Sequence, residues 1–264
     1  MVVKFNKKQK VQEDEYIFPY HYLDIKCDDE YLYGIEYLDY MRVVRNKIPN
    51  KSGTKVLDAG CGDGRFCYEL RKAKENVSVY GVDYSQRAID FAKAFNPNTK
   101  FFVSDLTKLN LGEKFDYIVL IETLEHIIPK DIPKILDNIS NHLKPNGKFI
   151  ITVPSKNLKI HDKHYQHFDK ESLTKTLSPH FKVEKIEGYS KLGLKRTYFK
   201  LSRQIAFVLY PFTKKIKALR KIYVELDKFY QKHLSIGDSD KCRGVLAICS
   251  KKKWLIITNF YIIY

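Results

Sequence analysis

The sequence predicts an α/β fold with a mostly parallel sheet that is covered by helices on both faces. From residue 54 onward, short runs rich in β-branched and aromatic residues alternate with stretches whose apolar residues have helical spacing. The β-rich runs lack a strict alternation of polar and apolar residues, which is typical of strands buried on both faces. Ligands of such sheets bind at the carboxyl ends of the strands, so polar residues there are the first candidates for a site.

The predicted core is a seven-stranded sheet with helical connections. Its strands are residues 55–59, 77–82, 100–103, 115–121, 148–153, 181–188 and 244–250. Its helices are residues 65–74, 85–95, 132–143 and 171–177. Most of this core is expected within residues 54–190, while residues 241–264 hold the last strand and an apolar tail.

The segment before the core, residues 1–53, is expected to form an N-terminal helical lid or cap. Residues 1–15 are rich in charge, and we expect them to be loose. An aromatic cluster at 16–23 either packs on the core or covers a ligand mouth, and we favour packing. Apolar residues at helical spacing within 30–48 then predict a helix that packs on the sheet.

A basic helical insertion is expected between the sixth and seventh strands, at residues 191–240. From residue 195 to residue 232 it contains eleven Lys or Arg but only two acids, Glu225 and Asp227. Its apolar residues recur at helical spacing, which predicts amphipathic helices. These residues are Ile216, Leu219, Tyr223, Leu226 and Tyr230.

Composition leaves several partners open. Lys and Arg total 47 against 31 Asp and Glu, which gives a net charge of +16. Such a charge suits RNA or an anionic membrane as a partner. A lysine-rich composition without any such partner explains the charge equally well. The basic insertion or the tail at 254–264 offers a peripheral membrane contact, and a homodimer is a further alternative. Five scattered cysteines without a CxxC pair, and a beginning without a signal peptide, predict a cytoplasmic protein.

A glycine-rich turn at residues 55–65 carries the first functional signal. An apolar run ends at Asp58, and Gly60, Gly62 and Gly64 follow at every second position. Residues without a side chain let backbone N–H groups approach a ligand closely. Dinucleotide sites have the spacing G-x-G-x-x-G, whereas here Arg65 occupies the third glycine position of that pattern.

The next two strand ends carry acids that narrow the ligand. Asp83 closes the second strand, where a carboxylate can accept from both hydroxyls of a ribose. Ser104, Asp105 and Leu106 follow the third strand and offer a carboxylate to an exocyclic amine and an apolar side chain to a purine. Because a dinucleotide site does not need this second acid, the pattern favours a different nucleoside ligand.

Five segments over residues 54–190 resemble the class I S-adenosylmethionine-dependent methyltransferases in order and spacing. They are DAGCGDG at 58–64, GVDYS at 81–85, SDL at 104–106, FDYIVLIETLEH at 115–126 and LKPNGKFIITVP at 143–154. The resemblance implies a Rossmann-like fold with S-adenosylmethionine as the cofactor.

The same resemblance implies a role for each strand end. Asp58 and the glycine turn, including Cys61, would hold the methionine end of the cofactor, and Asp83 would hold the ribose. Tyr84, Ser104, Asp105 and Leu106 would surround the adenine, with Ile121 as a further contact.

Candidate acceptor residues follow the fourth and fifth strands. Glu122, Glu125 and His126 would share one face if this stretch were helical. His161, His164 and His167 come after the fifth strand; we expect His167 to point inward and the other two to be solvated. An alcohol acceptor usually needs a base or a metal to lose its proton.

The Glu-x-x-Glu-His motif resembles segments of two methyltransferase groups. In ubiquinone-type O-methyltransferases it lies at the pocket, and in small-RNA 2′-O-methyltransferases it supplies metal ligands that a later histidine completes. We favour His126, Glu122 and His167 as catalytic residues without a metal. If a divalent metal binds, the expected ligands are Glu122, Glu125, His126 and His167.

The sequence therefore predicts a methyltransferase that modifies an oxygen of a small-molecule or saccharide-like acceptor. A metal-assisted RNA 2′-O-methyltransferase is the second hypothesis, and a non-catalytic S-adenosylmethionine-binding module is the third.

Overall fold

A computed structural model describes residues 6–22, 26–27, 30–31, 34–209, 212 and 219–252 of the chain. Its helices are α1 Lys7–Glu15, α2 Ile35–Asn46, α3 Arg65–Ala73, α4 Gln86–Phe95, α5 Ile132–His142, α6 Lys170–Leu177, α7 Leu194–Leu209 and α8 Arg220–His233. Its strands are β1 Lys26–Cys27, β2 Glu30–Tyr31, β3 Thr54–Ala59, β4 Val77–Asp83, β5 Lys100–Val103, β6 Phe115–Ile121, β7 Leu143–Pro154, β8 Phe181–Lys191, β9 Ile236–Gly237 and β10 Cys242–Lys251.

The main sheet confirms the predicted α/β class and corrects its strand count. Its order is β5-β4-β3-β6-β7-β10-β8-β9, in which β5 to β7 are parallel neighbours and β10 is antiparallel to both β7 and β8. The prediction of seven strands is wrong, because β9 pairs with the edge of β8 as an eighth. β9 has only two residues, too few to leave a periodic pattern in the sequence.

Two apolar clusters pack on opposite faces of this sheet, as expected for strands buried on both sides. Leu57 of β3 belongs to the cluster that includes α5 and α6, whereas its neighbour Val56 belongs to the cluster that includes α2, α3 and α4. This separation follows from the alternation of side chains along a strand.

Local capping explains where two core helices begin. The side-chain oxygen of Ser85 accepts the backbone N–H of Ala88, which caps α4. Asp169 and Ser172 form a capping box at the start of α6. Such caps satisfy N–H groups that have no partner within the helix. The core helices consequently start within a residue or two of the predicted positions.

The N-terminal segment differs from the sequence prediction. Part of the stretch predicted to be loose forms α1, and Asn6 caps it through a capping box with Gln9. The helix predicted within 30–48 begins only at Ile35, after Gly34 with a φ of 93°. Its apolar positions Ile35, Met41 and Val44 are buried as expected, whereas Leu32 lies outside the described residues.

The insertion after β8 forms two helices, α7 and α8, and then β9. A third apolar cluster joins them to α2; its members include Phe199 of α7 and Tyr223, Leu226 and Tyr230 of α8. The helical spacing of those three α8 residues is thus confirmed, while Ile216 and the tail at 254–264 lie outside the described residues. Among the residues that are described, no helix is long and apolar enough to cross a membrane.

Replacing Gly64 tests how tightly α3 and α4 constrain the glycine turn. Gly64 has a φ of 80°, and an added Cβ would lie 2.8 Å from the Cβ of Ala92. Gly53 has the same φ of 80° but no atom within 4 Å of an added Cβ, so it isolates the backbone strain. We expect Gly64→Ala to reduce the free energy of unfolding by about 1–3 kcal/mol more than Gly53→Ala in urea denaturation. Equal losses would show that α4 does not press on the turn.

Candidate cofactor and acceptor site

Parallel pairing places the predicted site residues along one edge of the sheet. Asp58 of β3 lies opposite Gly81 of β4, and Asp83 at the end of β4 lies opposite Val103 of β5. On the other side of β3, Ile121 at the end of β6 lies opposite Thr152 of β7. The segments that leave these strands therefore meet at their carboxyl ends.

The glycine turn after β3 depends on left-handed backbone conformations. The φ angles of Gly60, Gly62 and Gly64 are 77°, 54° and 80°, a region that residues with a Cβ rarely adopt. A Cβ on Gly60 would lie 2.5 Å from the side chain of Thr123. This close approach puts the turn directly against the segment that follows β6.

Asp83 ties the glycine turn to the end of β4. One carboxylate oxygen accepts the N–H of Gly62 at 2.9 Å, and the other accepts the N–H of Ser85 at 2.9 Å. Burial raises the pKa of Asp83 to about 6, against the lowering effect of these N–H donors. The backbone N–H of Tyr84 also donates to this carboxylate. A carboxylate has about four acceptor positions, so about one remains for a hydroxyl group of a ligand.

Asp58, just before the glycine turn, and Cys61, within it, are both buried. The thiol of Cys67 on α3 donates to Asp58 at 3.5 Å, and burial raises the pKa of Asp58 to about 7. The N–H of Cys61 donates to the carbonyl oxygen of Val82 at 3.0 Å, which fixes the backbone of the turn against β4.

The residues expected around an adenine lie at the ends of β4, β5 and β6. Asp105 is exposed and accepts the N–H of Thr107, whereas Leu106 is buried in the core. Ser104 donates its N–H to the carbonyl of Asp83 at 2.9 Å. Tyr84 and Ile121 are half-buried at the same edge.

The N-terminal segment covers the glycine turn through residues that sequence reasoning did not single out. The hydroxyl of Tyr16 lies 2.6 Å from where a Cβ on Gly62 would be. His21 Nδ1 lies 2.9 Å from the fully buried carboxylate of Asp63, and Arg65 donates to the carbonyl of His21 at 3.0 Å. The sequence feature that could have indicated this cover is the aromatic cluster at 16–23, whose Tyr16 and His21 lie on the glycine turn.

The same segment also contacts the histidine loop after β7. The Lys8 ammonium donates to the backbone carbonyls of Asp162 and His164, at 2.8 and 2.5 Å. Glu15 forms an ion pair with Lys163 at 2.6 Å. Helix α1 thereby connects the glycine turn with the acceptor side of the edge.

Glu122 does not share a helical face with the two residues it was expected to join. Its φ is 46°, and the regular turn begins only at Leu124, as a 3-10 helix through His126. The side chain of Glu122 instead accepts the hydroxyl of Tyr189 from β8. Burial raises the pKa of Glu122.

Glu125, His126 and His164 form the cluster that the structure brings together. Their nearest ligand atoms all lie within 4.8 Å of one another. Glu125 is 1% exposed, and its Oε2 and the Nδ1 of His126 are buried without a hydrogen-bond partner among the described residues. Glu122 and His167, which the conditional metal set of the sequence analysis also included, do not belong to this cluster.

His167 points inward as predicted, and it contacts His164. Its Nδ1 faces the carbonyl of Leu158 at 3.2 Å, and its Nε2 lies 2.8 Å from Nδ1 of His164. A carbonyl only accepts, so His167 carries its proton on Nδ1 and accepts from His164 through Nε2. In a neutral His164 this leaves the lone pair on Nε2. The prediction that His164 is a solvated loop residue is wrong, because it is half-buried here.

Burial shifts the pKa values of this cluster towards the uncharged forms of its members. It lowers the pKa of His126 to about 3 and that of His164 to about 4, and neighbouring cationic groups add to both shifts. Burial, and then the charge of Glu122, raises the pKa of Glu125 well above its usual range. Neutral imidazoles beside a buried carboxyl group are donors that suit a divalent cation.

The methyltransferase-domain family matches residues 50–206 of the chain. Because this match covers more than half of the 264 residues, the chain belongs to that family. The resemblance to class I S-adenosylmethionine-dependent methyltransferases is thereby confirmed, together with S-adenosylmethionine as the cofactor of the class.

Individual relatives match only part of the chain. The tRNA N(3)-methylcytidine methyltransferase trm141 of Schizosaccharomyces pombe is 32% identical over 112 residues, which cover 39% of this chain and 45% of the relative. The ubiquinone biosynthesis O-methyltransferase of Bradyrhizobium diazoefficiens is 31% identical over 111 residues, 40% of this chain and 42% of the relative. The chain thus spans less than half the length of these relatives, which differ in their acceptors.

A solved structure extends the likeness to nearly the whole chain. The N-methyltransferase NodS from Bradyrhizobium japonicum, in complex with S-adenosyl-L-homocysteine, has a TM-score of 0.60 and 14% identity over 94% of this chain and 100% of its own. At this identity the likeness establishes the shared fold.

The titration of His126 and His164 tests the electrostatics of the cluster. Their pKa values lie below the ordinary histidine value of about 6.5, so the unfolded chain binds protons that the folded chain excludes. Stability from this source is therefore lost as pH falls from about 6.5 towards 4. We expect NMR of the imidazole nitrogens to show both rings neutral at pH 6, and both titrating near 6.5 in urea. A folded-state midpoint near 6.5 for either ring would contradict this account.

Proposed function

We propose that the chain transfers the methyl group of S-adenosylmethionine to an oxygen of a small-molecule or saccharide-like acceptor. The observation that carries this proposal is the contact between Gly60 and Thr123. It places the glycine turn, where the methyl donor would bind, against the segment that leads into Glu125 and His126. The sulfonium is already activated, so the protein has mainly to align the acceptor and exclude water.

On the donor side, the proposed roles follow the strand ends. Asp83 would accept a hydrogen bond from the ribose through its remaining acceptor position. Asp58 and the glycine turn, including Cys61, would hold the methionine end, and Asp105 would accept from the adenine amine. Residues 1–53 would act as the lid, because α1 and the Tyr16–His21 region already span the donor and acceptor sides.

On the acceptor side, neutral His126 would accept a hydrogen bond from the acceptor hydroxyl and so orient its oxygen. Its low pKa makes it a weak base at neutral pH, so the proton of the hydroxyl would pass on to solvent as the O–CH₃ bond forms. The S–CH₃ bond breaks in the same step, and S-adenosylhomocysteine leaves. Glu122, held by Tyr189, and His167, through His164, would act as positioning residues. The identity of the acceptor, and its selection by the insertion at 191–240, are part of this proposal.

A metal-assisted transfer is the second candidate, and the Glu125–His126–His164 cluster favours it. Two of its donor atoms are buried without partners, which is costly unless a ligand satisfies them. A divalent cation held there would lower the pKa of an acceptor hydroxyl. Because the chain carries a net charge of +16, an RNA 2′-hydroxyl is the acceptor to test first under this candidate.

Asp83→Asn tests the donor half of the proposal. The substitution keeps the size of the side chain but removes the charge that would bind the ribose. We expect labelled S-adenosylmethionine to bind about 10- to 100-fold more weakly, and transfer of its methyl group into fractionated lysate metabolites, lipid, protein and RNA to fall accordingly. The exposed Asp90→Asn is the matched control. Unchanged binding by a folded Asp83→Asn would refute the assignment.

Cofactor binding without transfer to any fraction would favour the non-catalytic module instead. Circular dichroism of both variants separates a loss of ligand binding from a loss of folding, which matters because Asp83 also holds the N–H of Gly62.

His164→Ala tests the metal candidate, with exposed His161→Ala from the same loop as its control. If a cation binds the cluster, we expect Mn²⁺ affinity in calorimetry to fall by about tenfold or more for His164→Ala, and to stay unchanged for His161→Ala. Chelation should then abolish methyl transfer, and added Mn²⁺ should restore it. Full activity in EDTA would reject this candidate.

A further inference from the structure

One face of α7 carries a row of exposed apolar side chains, which we call the α7 stripe. Its members are Leu194, Tyr198, Leu201, Ile205 and Val208, with exposures of 90, 60, 56, 63 and 70%. They are spaced by four, three, four and three residues. Since seven residues make nearly two helical turns, these side chains project from one side of the helix.

The opposite side of α7 is already occupied. Phe199 and Ala206 are buried in the cluster shared with α2 and α8. Arg196 is buried as well, donates to the hydroxyl of Ser190 at 2.8 Å and forms an ion pair with Glu36. The helix is therefore fixed to the domain by one face, while the α7 stripe is exposed. Tyr198 lies at its border, with its ring centroid 5.4 Å from that of Phe229 on α8. Contiguous exposed apolar surface of this kind marks an interaction site.

The charged residues of α7 itself are all basic. Helix α7 contains no Asp or Glu, and the exposed Lys195 and Lys200 lie on either side of the stripe. Lys195 also lies 3.4 Å from the ring of His233, at the end of α8 where Lys232 is exposed. An apolar row flanked by lysines is complementary to a surface that is both apolar and anionic.

A second copy of the chain fits this face less well. Pairing two α7 helices would bring lysines towards lysines, with no acid on α7 to offset them. A helix of 16 residues offers a contact strip of about 24 by 10 Å, whereas a stable dimer buries about 800 Å² on each partner. Adsorption to a lipid surface requires no such area, because the apolar row inserts while the lysines remain at the headgroups.

We propose that α7 binds the surface of an anionic lipid bilayer. The α7 stripe would enter the boundary between headgroups and acyl chains, and Lys195 and Lys200 would meet the lipid phosphates. This contact is peripheral and independent of methyl transfer.

Vesicle flotation of the full chain tests this proposal. The probes are vesicles of phosphatidylcholine alone and vesicles containing about one third phosphatidylglycerol. We expect binding to the anionic vesicles only, and weaker binding as NaCl rises from about 50 to about 500 mM, because salt screens the lysines. The double variant Leu201→Glu with Ile205→Glu should partition about tenfold or more weakly.

The matched control is Asn98→Glu with Asn141→Glu, which makes the same change in net charge at exposed positions outside α7. It should bind vesicles nearly as well as the unmodified chain, and circular dichroism should show that both double variants fold. Equal loss in both variants would reduce the effect to net charge and overturn the proposal. So would an absence of binding to anionic vesicles, or a lipid-free dimer in sedimentation that Leu201→Glu with Ile205→Glu dissociates.

Discussion

The hydrogen bond from Gly62 to Asp83 is the interaction on which the candidate site depends. It joins the turn after β3 to the end of β4, so that a backbone able to approach a ligand and a buried carboxylate lie side by side. The left-handed conformation of the glycines lets the turn approach Asp83 closely. The parallel register of β3 and β4 places the turn and Asp83 at the same level along the strands. Tyr16 and Thr123 then pack against the same turn from either side.

The edge built around this bond is locally acidic in a chain that is basic overall. Burial raises the pKa of Asp58, Asp83, Glu122 and Glu125, because water cannot hydrate the ionised carboxylate there. A ligand with positive charge, such as a sulfonium or a divalent cation, would offset that cost. The insertion carries part of the excess of Lys and Arg, with eleven basic residues against two acids from residue 195 to residue 232.

Local patterns in the sequence were sufficient to predict most core strands and helices, and the strand ends that carry the candidate donor residues. The spacing of the glycines reflects the backbone conformation of the turn. The acids are recognised because they directly follow the apolar runs that mark the strands. The acceptor side depends on contacts between distant segments. Glu122 turns away through a left-handed φ to meet Tyr189, and His164 is oriented by His167. Helix α1 is polar, and its packing comes from contacts such as Lys8 with the histidine loop. The spacing of residues along the sequence does not predict contacts between segments that are far apart in the chain.

If the glycine turn and Asp83 bind the methyl donor rather than a dinucleotide, calorimetric titration of the purified chain will distinguish the two ligands. We expect one S-adenosylhomocysteine to bind per chain, and a separate titration with NAD to give no heat of binding. Binding of NAD, or no binding of S-adenosylhomocysteine by the folded chain, would contradict this account.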